Sequence, residues 1–246
     1  MKCLILAAGY ATRLYPLTEN FPKPLLKVGD KTILDWLIDD IAEGGLVDEF
    51  VIISNGKFAE HFETFAKTRK EIVRVVNDGT YTNETRLGAV VDIKFACDAL
   101  NIDDDMLVIA GDNVLDFSLS DFMSYGKSHA ASAVLRYFEP DTKRLLKSGV
   151  VTVDENDKVI KMTEKSPNPE TNWCTPPFYY YTKEDAKLIE RAIADGCGTD
   201  APGSYIAWLA QNSTVYAMEM KGKRYDIGNL ESYEAVKRDY QGITVK

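Results

Sequence analysis

A chain of 246 residues, 45% hydrophobic and 27% charged, suits one large α/β domain, or one domain with an appended lobe, and can bury a sizeable core. Its 29 Lys and Arg against 38 Asp and Glu give a net charge of −9, which argues against nucleic acid as a partner, since polyanion binding needs a basic face. No apolar run approaches the ~18 residues of a membrane span, so no membrane partner is expected, and four cysteines without a C-x-x-C spacing point to a reducing, cytoplasmic setting.

Lys2–Ala7 predicts a buried strand, and because it starts the chain no signal peptide is expected. It runs into the small-residue loop Ala8-Gly9-Tyr10-Ala11-Thr12-Arg13, and Lys23 follows ten residues after Arg13. Small residues let backbone N–H groups close on phosphate oxygens, and two cations neutralise what the amides cannot. A plain strand and loop needs neither cation at these offsets. Ile33–Gly44 predicts a helix with Leu34, Leu37, Ile38 and Ile41 on one face. Glu49–Ser54 and Ile72–Asn77 read as strands, with a helix over Ala59–Thr68 between them. Leu87–Leu100 carries a helical pattern, and Met106–Ala110 is an apolar strand ending at Gly111-Asp112. Alternation of this kind implies a parallel sheet with ligands at the strand C-termini.

The rhythm then changes. Ala131–Tyr137, Gly149–Val153, Val159–Thr163 and Phe178–Thr182 are strand-like, with a turn at Glu155-Asn156-Asp157. Lys183–Asp195 and Tyr205–Gln211 predict helices, Val215–Met220 a strand and Leu230–Tyr240 a closing helix. Trp173 is placed in a loop. The expected class is α/β: a Rossmann-like mixed, mostly parallel sheet flanked by helices, with an inserted acceptor-binding α+β lobe. Residues 1–130 form the expected nucleotide-binding half, 131–229 the acceptor-binding half and 230–246 the closing helix and tail.

Several charged residues sit at strand ends. Asp112 ends an apolar strand, where a carboxylate can hold Mg2+ against phosphate, or simply cap a turn. Asp226 lies in Arg224-Tyr225-Asp226-Ile227-Gly228-Asn229, which also reads as a turn into a helix capped at Asn229. Glu164-Lys165 after a strand reads equally as a solvated charged pair. His61 and His129 are given no catalytic role.

The segment from Leu6 to Thr18 with Phe21-Pro22-Lys23-Pro24-Leu25 resembles the signature of the sugar-1-phosphate nucleotidylyltransferases, roughly L-A-A-G-x-G-T-R-L-x-P-x-T and then P-K-P-L. The chain departs from it at Ala11, where the family usually has glycine, and at Thr32, where proline often follows the lysine. Asp112-Asn113 resembles the family's G-D-N segment, and Glu164-Lys165 its E-K-P segment with Ser166 inserted. Tyr225-Asp226-Ile227-Gly228 resembles its D-I-G ending. The four blocks occur in the family's order. The resemblance implies a nucleotide site of Leu6, Ala7, Ala8, Gly9, Tyr10, Ala11, Thr12, Arg13, Lys23, Asn77, Arg86, Gly88 and Asp112, with Arg86 equally readable as a surface residue. It implies Mg2+ on Asp112 and Asp226, and an acceptor site of Asn113, Gly149, Glu164, Lys165 and Tyr180. Arg13, Lys23, Asp112, Lys165 and Asp226 are the implied catalytic set.

The implied reaction joins a nucleoside triphosphate and a sugar 1-phosphate into a nucleotide-diphosphate sugar and pyrophosphate, by in-line attack on the α-phosphate. The favoured nucleotide is dTTP or UTP, with CTP and GTP open, and homo-oligomerisation is left open. No second catalytic domain is expected. Two other readings stand beside it. One is a cytidylyltransferase acting on a non-sugar phosphomonoester such as phosphocholine, which Trp173 and the tyrosines at 179–181 would favour through cation–π contact. The other is a binding or regulatory subunit without catalysis.

Overall fold

The protein is described from a computed structural model covering residues 1–245; Lys246, the end of the expected tail, lies outside them. In chain order the elements are β1 (Lys2–Leu6), β2 (Lys27–Val28), β3 (Lys31–Thr32), α1 (Ile33–Glu43), β4 (Glu49–Ser54), α2 (Ala59–Ala66), β5 (Val73–Asn77), α3 (Ala89–Leu100), β6 (Met106–Ala110), β7 (Asn113–Leu115) and α4 (Ser120–His129). Then follow β8 (Ser132–Phe138), α5 (Thr142–Leu145), β9 (Gly149–Val153), β10 (Val159–Glu164), β11 (Trp173–Thr175), β12 (Phe178–Tyr181), α6 (Lys183–Ala186), α7 (Ile189–Ala194), α8 (Gly203–Asn212), β13 (Val215–Glu219), β14 (Arg224–Asp226) and α9 (Leu230–Asp239).

The chain divides into two compact units. The first takes residues 1–87, 110–120 and those from 221 onward. In it β4 pairs in parallel with β1 and β5, in register from Lys2↔Glu49 to Leu6↔Ile53 on one side. Cys3–Ile5 and Phe50–Ile53 are buried, as expected of parallel strands covered on both faces. Helix α1 begins at a capping box in which Thr32 and Asp35 satisfy each other's backbone N–H, and it buries Ile33, Leu34, Leu37, Ile38 and Ile41. The C-terminal segment is stitched back onto this unit. β14 pairs antiparallel with β7, the Tyr233 hydroxyl donates to the Lys27 carbonyl at 2.8 Å, and the Tyr240 hydroxyl donates to the Leu115 carbonyl at 2.8 Å.

The second unit takes residues 88–109 and 121–220. Here β8 pairs with β13 in parallel and with β11 and β12 antiparallel. β12 also pairs with β6, while β11 leads through β9 to β10. The sheet of this unit is therefore mixed, as expected. Tyr179, Tyr180 and Tyr181 are all buried because both faces of β12 are covered.

Three local features differ from the pattern read in the sequence. Trp173 opens strand β11 rather than lying in a loop, because β11 bridges β8 and β9. The predicted helix over 183–195 is broken into α6 and α7; the buried Asp185, gripped by the hydroxyls of Ser132 and Ser213, pins the first turn inward. Helix α4 carries only two large apolar residues on its buried face, Phe122 and Met123, too few for a periodic signal.

Candidate active site

The loop after β1 is built to leave its amides open. The N–H groups of Ala8 to Arg13 meet no acceptor among the described residues, whereas the neighbouring Ala7 N–H is spent on Ile53 and that of Leu14 on Ala11. A run of amides left without partners can serve as an anion cradle. Leu6, Ala7, Ala8 and Tyr10 are largely or wholly buried and hold the loop down, while Gly9, Thr12 and Arg13 are exposed. Arg13 has no ion-pair partner among the described residues.

Ala11 sits at φ 46°, ψ 41°, in the left-handed region, where its methyl group crowds the carbonyl. Its carbonyl is held by the buried Thr18 hydroxyl at 2.8 Å and by the Leu14 N–H at 2.9 Å. Ala11→Gly should relieve this crowding by about 1 kcal/mol, a rise of ~2–4 °C in a thermal melt.

Lys23, Asp112 and Asp226 come together in the first unit. The Lys23 ammonium donates to Asp112 Oδ2 at 2.6 Å and to the Ile227 carbonyl at 2.9 Å. Asp226 lies opposite Asn113 in the β14–β7 pair, and the Ile227 N–H donates to the Asp112 carbonyl at 3.2 Å. Burial alone would raise the Asp112 carboxyl, but the charge and hydrogen bond of Lys23, helped by Arg224, outweigh it and hold the group below the ordinary carboxylate range.

Asn113 was expected at the acceptor. It is fully buried, and its amide is committed: Nδ2 donates to Asp112 Oδ1 at 2.7 Å while Oδ1 accepts from Arg224 at 2.8 Å. Its side chain supports Asp112 and has no face for an acceptor.

The other nucleotide-site candidates are more dispersed. Asn77 ends β5, exposed, and its Oδ1 accepts from the Gly79 N–H at 2.9 Å. Asp78, beside it, is buried; burial pushes its carboxyl above the ordinary value against the opposing bonds from Thr80, whose hydroxyl meets that of Tyr10 at 3.2 Å. That contact ties this loop to the cradle. Arg86 is exposed and donates to Asn83 Oδ1 at 3.1 Å. In the second unit, Gly88 caps α3 at φ 93°, and the carbonyls of Thr199 and Asp200 already accept from the N–H groups of Val90 and Ala89.

The acceptor candidates gather around one rung of three strands in the second unit. Gly149 of β9 lies opposite Glu164 of β10 on one side and Thr175 of β11 on the other. A Cβ on Gly149 would stand 2.6 Å from Thr175 Oγ1 and 2.8 Å from Glu164 Oε1, so only glycine fits against this hydroxyl and carboxylate. A Cβ on Gly203, at the start of α8, would overlap the same carboxylate outright. Thr175 Oγ1 is buried without a hydrogen-bond partner among the described residues, and it stands beside the acceptor candidates although nothing local in the sequence marks it. Lys165 follows, exposed, at φ 50°, a left-handed conformation that a lysine holds only under local constraint.

Tyr180 does not join them. It is buried beneath α4, packed so closely on Gly126 that no Cβ fits there, and its hydroxyl donates to Asp105 Oδ2 at 2.7 Å. It is a core residue because β12 has no face turned to a ligand.

Burial pushes the Glu164 carboxyl above its ordinary 4.5, with Lys165 opposing only in part. As pH climbs from 4.5, the unfolded chain releases its proton first, so the native state loses stability until the folded group ionises too. Glu164→Gln removes that loss. It should raise the melting temperature at pH 7 and flatten its pH dependence, while weakening acceptor binding as read by KM.

Asp112 and Asp226 are the expected donor set for a metal. Among the described residues no group of three or more His, Cys, Asp or Glu is arranged to hold one. A pair of carboxylates, Asp112 just before β7 and Asp226 on β14, the first already carrying an ammonium, fits Mg2+, which takes one or two protein carboxylates and completes its shell with phosphate oxygens and water.

An α/β fold with unpaired amides after its first strand, and a lysine and two carboxylates gathered in the same unit, is an arrangement suited to phosphate. The family model described as nucleotidyl transferase matches residues 2–242, and the chain belongs to that family. It is 30% identical over 231 residues to the bifunctional protein GlmU of Methanocaldococcus jannaschii, covering 93% of this chain and 51% of that one. It is 27% identical to the UTP–glucose-1-phosphate uridylyltransferase of Pseudomonas aeruginosa, covering 98% and 96%. The chain spans 51–63% of the length of several other curated relatives it matches. A solved UDP-glucose pyrophosphorylase in complex with UDP-glucose shares the fold at TM-score 0.83 and 22% identity, covering 97% of each chain. No described helix is long and apolar enough to cross a membrane.

Proposed function

We propose that the protein is a sugar-1-phosphate nucleotidyltransferase, in which an NTP and a sugar 1-phosphate give an NDP-sugar and pyrophosphate. The observation that carries this reading is the run of unpaired amides from Ala8 to Arg13, in the same unit as the Lys23–Asp112 pair and Asp226. Family membership and the names of the relatives support it. dTTP or UTP is the favoured nucleotide.

An oxygen of the sugar phosphate forms the new bond to the α-phosphorus, and the bond to the bridging oxygen of the β-phosphate breaks in line with it. The attacking phosphate is already ionised at neutral pH, so no general base is needed. The Ala8–Arg13 amides and the Arg13 guanidinium hold the leaving pyrophosphate. Lys23 steadies charge at the α-phosphate, and Lys165 holds the acceptor phosphate. Glu164 and Thr175 receive and donate hydrogen bonds at the sugar hydroxyls. Bound Mg2+ would neutralise phosphate charge, with Asp112 and Asp226 as its ligands. No disulfide joins the four cysteines among the described residues, which accords with a reducing, cytoplasmic setting.

The rival acceptor, phosphocholine, rested on an aromatic cage. Tyr179, Tyr180 and Tyr181 are buried, and the Trp173 ring already carries the Arg136 guanidinium 4.9 Å from its centre. A hydroxyl-bearing acceptor is therefore favoured.

The test is pyrophosphate release with Mg2+, for UTP, dTTP, CTP and GTP against a panel of sugar 1-phosphates and phosphocholine. Release with a sugar phosphate is the expected result. Release with phosphocholine alone would move the activity to the other class, and silence in every well would make the chain a binding subunit.

A further inference from the structure

We propose that Arg224 is a positioning residue for the cation site: acting through Asn113, it fixes the carboxylate of Asp112 at the edge of the strand pair that also carries Asp226. The inference rests on the site reading above and adds a residue to it.

The geometry is a relay. Arg224 donates to Asn113 Oδ1 at 2.8 Å, Asn113 Nδ2 donates to Asp112 Oδ1 at 2.7 Å, and Lys23 holds the second oxygen of Asp112 at 2.6 Å. The orientation of the amide follows from the chemistry at its two ends. A guanidinium only donates, so it must face the amide oxygen; a carboxylate only accepts, so it must face the amide nitrogen. Without Arg224 the amide of Asn113 loses the group that decides which way it turns. A flip would set its oxygen against the Asp112 carboxylate and push that group out of place.

The strand register explains why one residue can serve both carboxylates. Arg224 and Asp226 are two apart on β14 and so share a face, and Asn113 stands opposite Asp226 on β7. The guanidinium consequently lies 3.9 Å from Asp226 Oδ1 as well. Its side chain is only 19% exposed, and Asn113 is fully buried, so the relay is packed in place. A cation beside a metal-binding carboxylate works against the metal by simple repulsion. Its placement there makes sense as orientation of the ligands. Residues that orient metal ligands in this way typically change affinity tenfold or more when removed.

The test uses the full chain with Arg224→Met, Asn113→Leu, the double variant and Arg224→Lys. Mn2+ uptake by the protein–UTP complex, without acceptor so that nothing turns over, is read by electron paramagnetic resonance, and UTP binding is measured separately in EDTA. Each single variant should weaken Mn2+ uptake about tenfold while leaving metal-free UTP binding unchanged. The double variant should be no worse than the weaker single, since both break one relay, and Arg224→Lys should recover part of the loss. Should Asn113→Leu not fold, the Met and Lys variants of Arg224 carry the comparison. Mn2+ uptake unchanged in Arg224→Met, additive losses in the double variant, or an equal loss of UTP binding in EDTA would each overturn the inference. A wild-type protein that takes up no Mn2+ with any nucleotide would sink the cation site itself, and this inference with it.

Discussion

Lys23→Ala is expected to lower kcat for pyrophosphate release about a hundredfold, equivalent to ~3 kcal/mol of transition-state stabilisation. The lysine is the only ammonium seated on Asp112 among the described residues, and it also holds the carbonyl of Ile227, next to Asp226. In the proposed reaction, negative charge crowds at the α-phosphorus as the acceptor approaches and pyrophosphate leaves. A cation already fixed by two bonds meets that charge without reorganising. The loss should therefore fall on kcat more than on the KM of the nucleotide, because the gain is largest in the transition state. There is a second consequence. With Lys23 gone, what holds the Asp112 carboxyl below its ordinary 3.8 is mostly removed, while burial remains. The stability this group adds is present above 3.8 and fades as pH falls through its folded value. Lys23→Ala should lose that contribution, so acid unfolding should begin at higher pH. Turnover within about threefold of wild type in a folded variant would remove Lys23 from the transition state.

Chemistry that is local in sequence was legible; chemistry that depends on register was not. The cradle follows from residues adjacent in the chain, so the apolar strand, the small-residue loop and Arg13 could be read without a fold. Lys23, Asp112 and Asp226 stand at ends of short segments, and the structure brings them together through the β7–β14 pair. Neither of those three-residue strands carries a periodic signal of its own. The same limit hid Thr175. It matters because β11 sets it across Gly149 from Glu164, and a three-residue strand followed by Pro176-Pro177 reads as loop. Tyr180 failed for the opposite reason: alternation along a strand predicts one open face, and β12 has none. Asn113 was placed at the acceptor by its neighbour Asp112. Only the side-chain geometry reveals that its amide is already spent between Asp112 and Arg224.

Asp226→Ala is expected to cost about a hundredfold or more in pyrophosphate release with almost no cost in stability. The two halves of that statement come from different facts. The carboxylate is 54% exposed, and its nearest cation, Arg224, stands at 3.9 Å, so the folded state gains little from it. An exposed side chain held so loosely should change the melting temperature by no more than a surface substitution does. Its position, across from Asn113 and beside the Ile227 backbone that Lys23 holds, makes sense as one of two carboxylates offered to a phosphate-bound cation. The Mg2+ concentration for half-maximal activity should rise in the variant along with the fall in rate. Asp112→Ala would be a poorer experiment, because it strips Lys23 of its partner and disturbs the buried amide of Asn113, mixing loss of fold with loss of chemistry. Asp226 separates the two. A melting temperature equal to wild type with turnover gone would place this carboxylate in the reaction. Equal melting with equal turnover would falsify the assignment of the second ligand.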